Sequence, residues 1–380
     1  MNDMRAVLVK YSGRRLNNHK AVWFDVPFQE TLESYYNTGD ICVYDSTLRV
    51  VDYEEGDILN IDMPVSEAEV ARLKQRCNFV LLRGSNYIHE EMDWGHFLAW
   101  IEALDMPVLC IGVGAQAERE RPIILPTEGR RVWQAIADRT PSIGVRGAFS
   151  AETMHRNGIH NVEIVGCPSI FRGLDRTMTL RHAPDGPKRV TFSLRREVGN
   201  TYAVDPVAFQ ATQKRIIAKL SLISDFFLSC HGEPEEKAFF FKAPKHMEAA
   251  AAKLAAEGWF DEVTGRTLRD LYERRLYYVG APDDYDLYAA QFDAALGYRV
   301  HAVLPAVAVG VPGVLFSYDT RSRELAETFD LPIYSPEEFE KQTLKDAFAP
   351  WRFERFQSLF TERYDRMKAF IEKNGVRSRM

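Results

Sequence analysis

The sequence lacks any apolar run that approaches the roughly 20 residues of a membrane-spanning helix. Its start, Met1 to Arg5, leads straight into an apolar stretch and has none of the cationic leader, long apolar core and cleavage site of a signal peptide. Positive charge is in deficit, since 48 Lys and Arg stand against 54 Asp and Glu, a formal net charge of −6. We therefore do not expect general nucleic-acid binding, which needs a net basic face.

Cysteine is scarce and scattered. The five cysteines form no CxxC pair, so a zinc site is not expected, and their apolar surroundings are typical of reduced thiols in the cytoplasm. Metalloprotease, Walker A and GxSxG signatures are also missing. Cys230 and His231 are adjacent in sequence, which directs their side chains to different faces of most elements, so we do not expect a catalytic Cys–His pair there.

The 380 residues are ordinary in composition for a globular chain, with 46% apolar and 27% charged residues, and their number predicts two or three domains. Short apolar runs alternate with helical patterns, which predicts parallel sheets covered by helices on both faces. Ligands of such sheets bind beyond the carboxyl ends of the strands. The first series predicts strands at 78–82, 107–111, 142–146 and 162–165, and helices at 66–76 (with a capping box at Ser66), 97–104, 127–138 and 148–157, the last ending at Gly158.

A charged, aperiodic stretch at 173–188 contains Pro and Gly and predicts a linker between two domains. We accordingly expect domains at 1–178 and 179–335, followed by a helical segment at 336–380. The second series predicts strands at 189–194, 238–241, 275–279, 293–296 and 313–317, and helices at 206–222, 245–256, 284–291, 301–309 and 320–328.

The end of the chain carries an amphipathic stripe, which includes Phe353, Phe360 and Ile371 and stops at Gly375. From Trp351 onward, 8 Lys/Arg stand against 4 Asp/Glu. The stripe fits a helix that packs back across both domains. Its basic face beside aromatics also suits peripheral contact with anionic lipid, which would place the protein at the inner face of the membrane.

Cationic side chains follow several predicted strands. Arg299 and His301 lie at a strand-to-helix junction, where free backbone N–H groups and the helix dipole favour anions. Arg195 and Arg196 end another strand, and Arg146 ends a third. Guanidinium groups bind phosphate and carboxylate bidentately, so these residues predict an anion site, with solvated surface arginines as the alternative.

Three polar or glycine-rich segments of the first half are weaker candidates. Asn37-Thr38-Gly39-Asp40 reads as a turn that could present Asn37 or Asp40 to a ligand. The run from Gly112 through Gly114 to Gln116 lacks the full dinucleotide-binding spacing, and its glycines instead favour close approach of a ligand or a neighbouring strand. Asn86 closes the loop after the preceding strand.

These segments together resemble the polysaccharide pyruvyl transferase family. Gly297-x-Arg299-x-His301-Ala302, then Gly310-Val311-Pro312 and Tyr318-Asp319-x-Arg321, is similar to the family's C-terminal signature. The upstream motifs follow the family's order over roughly residues 35 to 330, namely Asn37–Asp40, Gly112–Gln116, Val145-Arg146-Gly147-x-x-Ser150 and Val165–Ser169. The loop Arg83-Gly84-Ser85-Asn86 departs from the glycine-rich turn of many members.

The resemblance implies two Rossmann-like domains in the glycosyltransferase B architecture, with the active site in the cleft between them. It implies transfer of pyruvate from phosphoenolpyruvate, a co-substrate, onto two hydroxyls of a sugar, oligosaccharide or lipid-linked saccharide, without a metal or resident cofactor. His301 would act as general acid or phosphate ligand and Asp40 as base. Arg146, Arg195, Arg196 and Arg299 would bind the donor, and Asn37, Gly39, Asn86, Gly114 and Gln116 would line the acceptor side.

Two other functions fit the same residues. A nucleotide-sugar glycosyltransferase of this fold would hold a diphosphate at the same helix end, and Glu324 could then hold the ribose. A sugar- or lipid-binding scaffold without chemistry is the third reading, but it gives no reason to keep both Arg299 and His301.

Overall fold

The computed structural model describes residues 4–9, 15–17, 20–22, 28–33, 37–92, 94–117, 120–196 and 205–380, and its two main sheets are parallel. The strands of the first half are β1 (Arg5–Val9), β2 (Arg15–Asn17), β3 (Lys20–Val22), β4 (Glu55–Leu59), β5 (Phe79–Leu82), β6 (Val108–Cys110), β7 (Ile143–Val145) and β8 (Val162–Ile164). The first sheet has the order β4-β1-β5-β6, the parallel pair β7-β8 is joined next to it by a bridge from Val113 to Val145, and β2-β3 is an antiparallel hairpin.

The strands of the first sheet are apolar on both faces because helices cover both. Phe79 and Leu81 pack into one hydrophobic cluster, and the alternate residues Val80 and Leu82 pack into another. The helices of this half are α1 (Phe28–Glu33), α2 (Thr38–Val50), α3 (Glu67–Arg76), α4 (Phe97–Leu104), α5 (Thr127–Ala137) and α6 (Ala148–Arg156).

The second sheet has six parallel strands in the order β11-β10-β9-β12-β13-β14. Its first strand in sequence, β9, lies in the middle of the sheet, between β10 and β12. Because all the strands are parallel, the carboxyl ends of β10, β9, β12 and β13 lie side by side along one edge. The strands are β9 (Arg189–Ser193), β10 (Asp225–Cys230), β11 (Leu276–Tyr278), β12 (Ala294–Gly297), β13 (Gly313–Phe316) and β14 (Ile333–Tyr334).

Helices flank this sheet and continue to the end of the chain. They are α7 (Pro206–Ile223), α8 (Pro234–Phe240), α9 (Pro244–Ala256), α10 (Gly265–Arg274), α11 (Pro282–Ala289), α12 (Val300–Ala308), α13 (Thr320–Phe329), α14 (Pro336–Glu340), α15 (Leu344–Ala347) and α16 (Glu354–Lys373). Among the described residues, none of these helices is long and apolar enough to cross a bilayer.

Three local predictions were wrong. The run 238–241, expected as a strand, ends helix α8, whose first turn has Pro234 with Glu235 and Glu236, residues that favour a helix start. The strand of that region is β10, which the sequence did not single out. Ser66 precedes α3 but makes no side-chain capping hydrogen bond. The segment 37–40 is the first turn of α2 rather than a plain turn.

Helix α16 returns to the first half of the chain. Its apolar stripe, including Phe360 and Ile371, is buried in the same cluster as Phe79 and Leu81. Beyond it, the Asn374 side chain accepts from the Thr140 hydroxyl at 2.6 Å, and the Arg379 amide donates to the Val50 carbonyl at 3.0 Å. The stripe that suggested lipid contact therefore faces the protein interior.

Candidate active site

A cavity of about 510 Å³ opens between the two sheets. One wall is formed by the first half of the chain and the other by the carboxyl edge of the second sheet, where parallel α/β sheets bind ligands. The lining residues are Asn37, Gly39, Asp40, Ser85, Asn86, Tyr87, His89, Arg195, His231, Arg299, Val300, His301 and Arg321.

Three arginines reach the second wall from neighbouring elements, and two of them pair with buried carboxylates, Arg299 with Glu233 and Arg321 with Asp319. Arg195 follows β9 and Arg299 follows β12, the adjacent strand, while Arg321 lies in the first turn of α13. The Tyr318 hydroxyl fixes two of them, since it accepts from Arg195 Nη1 and from Arg321 Nη2, each at 2.7 Å. This shared phenol holds two like charges side by side, an arrangement that favours an anion between them.

Arg299 is held by a buried carboxylate. Its Nη2 donates to Glu233, whose side chain is 1% exposed, and its Nε donates to the Leu194 carbonyl at 3.3 Å. Burial acts to raise the pKa of Glu233, but the charges of Arg299 and Arg196 and the hydrogen bonds to the carboxylate together keep the pKa below its ordinary value. Glu233 therefore stays ionised and orients the guanidinium.

Two helix N-termini add positive potential. Asn37 and Gly39 lie at the start of α2, and Val300 and His301 lie in the first turn of α12. Both helices exceed eight residues, and each N-terminus carries roughly half a positive charge. The cavity thus combines three guanidinium groups with two helix ends, a charge distribution suited to a small polyanion.

Two histidines share the cavity wall. The pKa of His301 lies well below its ordinary value because the ring is buried and because of the positive charges of Arg321, Arg146, Arg83 and Arg299. Its Nε2 lies 3.8 Å from Cys167 Sγ. The pKa of His231 is lowered for the same reasons. Both imidazoles are therefore neutral near pH 7.

The wall from the first half carries the Asp40 carboxylate and the Asn86 amide, with the Arg83 guanidinium beside Asp40. Asp40 Oδ1 lies 3.9 Å from Arg83 Nη1, and the Arg83 guanidinium stacks on the Tyr44 ring at 3.8 Å. The Asn86 side-chain oxygen accepts from Arg146. Carboxylate and amide groups in this position can bind hydroxyl groups, which suits a sugar.

The structure brings together seven of the residues singled out from the sequence, and it places the other four outside the main cavity. Asn37, Gly39, Asp40, Asn86, Arg195, Arg299 and His301 line it, so the predicted cluster spans both halves of the chain. The side chain of Arg196 points away from that of Arg195, because successive side chains of an extended chain alternate. It forms ion pairs with Glu235, Glu236 and Glu257.

Arg146, Gly114 and Gln116 lie behind the first wall. Arg146 Nε donates to Glu324 Oε2 at 2.7 Å, and its guanidinium fills the space that a side chain at residue 114 would need. Gln116 is buried, and its amide donates to the Ala117 carbonyl at 3.2 Å. Glu324, the residue considered for a ribose, is thus already engaged by Arg146 and by Ser150. These residues join the two halves and support the wall.

Four functional candidates were missed or dismissed in the sequence. Arg321 and Tyr318 lie in the C-terminal motif but were not proposed as ligands. Glu233 and His231 follow β10, the strand that the sequence did not reveal, so nothing indicated that they share an edge with Arg195 and Arg299. A strand predicted at the position of β10 would have placed His231 and Glu233 at the same edge as Arg195 and Arg299.

A sequence model described as polysaccharide pyruvyl transferase matches residues 37–320, well over half of the chain. This chain belongs to the polysaccharide pyruvyl transferase family. The match begins at the first cavity residue, Asn37, and ends at Thr320, next to Arg321. Among curated proteins, none matches the chain significantly.

Several solved structures are similar to this pyruvyl transferase family member over nearly the whole chain. A Listeria monocytogenes protein described as a UDP-N-acetylglucosamine 2-epimerase shares 11% identity, covers 98% of this chain and 97% of its own, and has a TM-score of 0.48. Staphylococcus aureus MnaA with UDP shares 13% identity, with 97% of each chain covered and a TM-score of 0.45. Anabaena HepE with UDP and glucose shares 10%, with 98% and 97% covered and a TM-score of 0.45.

Proposed function

We propose that this protein transfers pyruvate from phosphoenolpyruvate onto two hydroxyls of a sugar, in a polysaccharide or its lipid-linked precursor, forming a cyclic ketal. The observation that carries the proposal is the convergence of Arg195, Arg299 and Arg321 with two helix N-termini on one interdomain cavity. Family membership supports the reaction class, and the charge of the cavity is the reason for proposing phosphoenolpyruvate as the donor.

The donor fits the charge of the second wall. Phosphoenolpyruvate carries a carboxylate and a phosphate, about three negative charges near neutral pH. Three guanidinium groups can match both anions bidentately, and helix N-termini add N–H donors. On this proposal arginine supplies the neutralising charge, and among the described residues no cluster of three or more His, Cys, Asp or Glu could hold a metal ion.

His301 is the proposed general acid toward the donor's methylene carbon. Its pKa is low because of burial and nearby arginines. A bound trianion offsets those arginine charges and raises the pKa of the imidazole toward the range in which it carries a proton near pH 7. Binding of the donor thereby favours the protonated form of His301, which then protonates the donor's methylene carbon.

The acceptor occupies the wall formed by the first half. Asp40 is the proposed base for an attacking hydroxyl, and Asn37 and Asn86 are proposed to hold neighbouring hydroxyls. Protonation of the methylene carbon gives an oxocarbenium-like centre, the first hydroxyl adds to it, and phosphate departs as the second hydroxyl closes the ketal. We expect this reaction in the cytoplasm.

The test measures phosphate release from phosphoenolpyruvate against a panel of mono- and oligosaccharide acceptors, together with calorimetric titration of phosphoenolpyruvate and of UDP-sugars. We expect binding of phosphoenolpyruvate and acceptor-dependent phosphate release. Binding of UDP-sugars alone would replace the proposal with a glycosyltransferase, although Glu324 is already paired with Arg146. Binding of saccharide alone would indicate a scaffold without chemistry.

A further inference from the structure

His231 is a buried imidazole whose hydrogen-bonding capacity is unused. Its exposed fraction is 0%, and within the described part of the chain neither Nδ1 nor Nε2 has a hydrogen-bond partner. Burying such a group without a partner is unfavourable, so structural histidines are normally paired. The ring lines the cavity, which makes a bound molecule the natural partner.

His231 lies against the first turn of α2. The His231 carbonyl accepts from the Thr38 amide at 3.0 Å, which ties it to the first turn of α2. A Cβ placed on Gly39 would lie 3.2 Å from Asn37 Oδ1, 3.3 Å from His231 Nδ1 and 3.4 Å from His301 Cβ. The acceptor-side amide and both imidazoles therefore meet around Gly39.

The charges around His231 keep its imidazole neutral. Burial lowers its pKa well below the ordinary value, and the positive charges of Arg299, His301, Arg195 and Arg321 act in the same direction. Acidic groups nearby are Glu233, which is paired with Arg299, and Asp40 across the cavity. A trianion on the arginines would offset the cations and leave the ring able to hold a proton transiently.

Resting on the function proposed above, we propose that His231 is a second catalytic imidazole, which contacts the donor's phosphate and carries a proton from the second acceptor hydroxyl to that phosphate as it leaves. In this step the second hydroxyl oxygen forms its bond to the ketal carbon and the carbon–oxygen bond to phosphate breaks with its electron pair. The hydroxyl proton passes through His231 to a phosphate oxygen. The imidazole ends neutral, as it began, and His301 serves the earlier proton transfer to carbon.

The experiment compares wild-type protein with His231→Gln, and uses His160→Gln, a change to an exposed histidine, as the matched control. Glutamine retains hydrogen bonding but cannot carry a proton. We expect His231→Gln to lower kcat by about 10²–10⁴-fold, the usual contribution of a proton-transfer group. The KM for phosphoenolpyruvate should change far less, the calorimetric affinity should remain measurable, and the control should match wild type.

Chemical rescue separates a proton carrier from a structural residue. His231→Ala leaves a ring-sized space on the cavity wall, so added imidazole should restore phosphate release, and 4-substituted imidazoles should do so with rates that follow their pKa values. If His231→Gln fails to fold in thermal unfolding, His231→Ala with rescue decides the question. Wild-type-like kcat in either variant, or rescue that is absent or independent of imidazole pKa, would overturn the role of His231. Failure of wild type to bind phosphoenolpyruvate would instead refute the proposed function.

Discussion

Removing the carboxylate of Glu324 is expected to destabilise the protein strongly. Glu324 lies on α13 and bridges to the first half, where it accepts from Arg146 Nε at 2.7 Å, the Ser150 amide at 2.6 Å and the Ser150 hydroxyl at 3.0 Å. The side chains of Arg146 and Glu324 are 4% and 2% exposed. In Glu324→Ala, Arg146 would remain buried without its carboxylate, together with two donors of Ser150.

The size of the effect follows from that burial. Breaking a buried ion pair by removing one partner costs about 3–5 kcal/mol, because the remaining charge cannot regain its hydration. An exposed pair of nearly the same length provides the comparison: Arg366 Nη2 and Glu362 Oε1 are 2.8 Å apart, with side chains 52% and 62% exposed. Pairs of that kind contribute only about 0–1 kcal/mol.

The assay is urea-induced unfolding followed by tryptophan fluorescence and circular dichroism. Glu324→Ala should lower the free energy of unfolding by about 3–5 kcal/mol and Glu362→Ala by no more than about 1 kcal/mol. The double variant Arg146→Met/Glu324→Leu should recover much of the loss, because both charges are then gone. Equal small losses in Glu324→Ala and Glu362→Ala would refute the reasoning that burial sets the strength of this pair.

Three further outcomes are expected. Arg299→Lys should weaken phosphoenolpyruvate binding by about tenfold or more in calorimetry, since an ammonium cannot keep both the Glu233 contact and a bidentate anion contact; an unchanged Kd would remove Arg299 from the donor site. His301→Ala should abolish phosphate release while thermal unfolding stays close to wild type, and near-normal turnover would exclude it as the acid. The free energy of unfolding should fall as pH drops below the ordinary histidine pKa of about 6.5, by up to about 1.4 kcal/mol per pH unit for each histidine, because the unfolded chain binds protons that His231 and His301 in the folded protein do not. A His231→Gln/His301→Gln variant should flatten that slope, and an unaltered slope would assign it to other groups.

The sequence predicted the parallel α/β class because strand and helix periods differ clearly in long segments. Helix α4 has the predicted bounds, α5 and α7 differ from prediction by one residue at one end, and Gly158 has the left-handed φ of +85° expected of a helix end. Short apolar runs without periodicity were less informative. The run at 238–241 by itself fits a strand or a helix equally well, and it is helical because a helix starts upstream at Pro234 and packs against α9 and α10.

The site was predictable where a motif joins a strand end to a helix start. Arg299 and His301 combine a predicted strand, a predicted helix and an anion-binding chemistry within five residues. His231 carried no such signal, since its partners in the cavity come from residues far away in sequence, and its neighbour Cys230 suggested only an unproductive pair. Arg196 shows the converse: adjacent to Arg195 in sequence, it lies on the other side of the chain because extended backbone alternates.

The return of α16 to the first sheet affects how this chain can be made. Phe370 occupies the space beside Gly144 of β7, with its ring carbon 2.7 Å from where a Cβ would stand. The strands of the first half leave the ribosome long before the helix that completes their hydrophobic cluster. During synthesis this surface stays open to chaperones or to neighbouring nascent chains until α16 emerges, so a protein truncated before α16 would lose the cover of its first sheet rather than a dispensable tail.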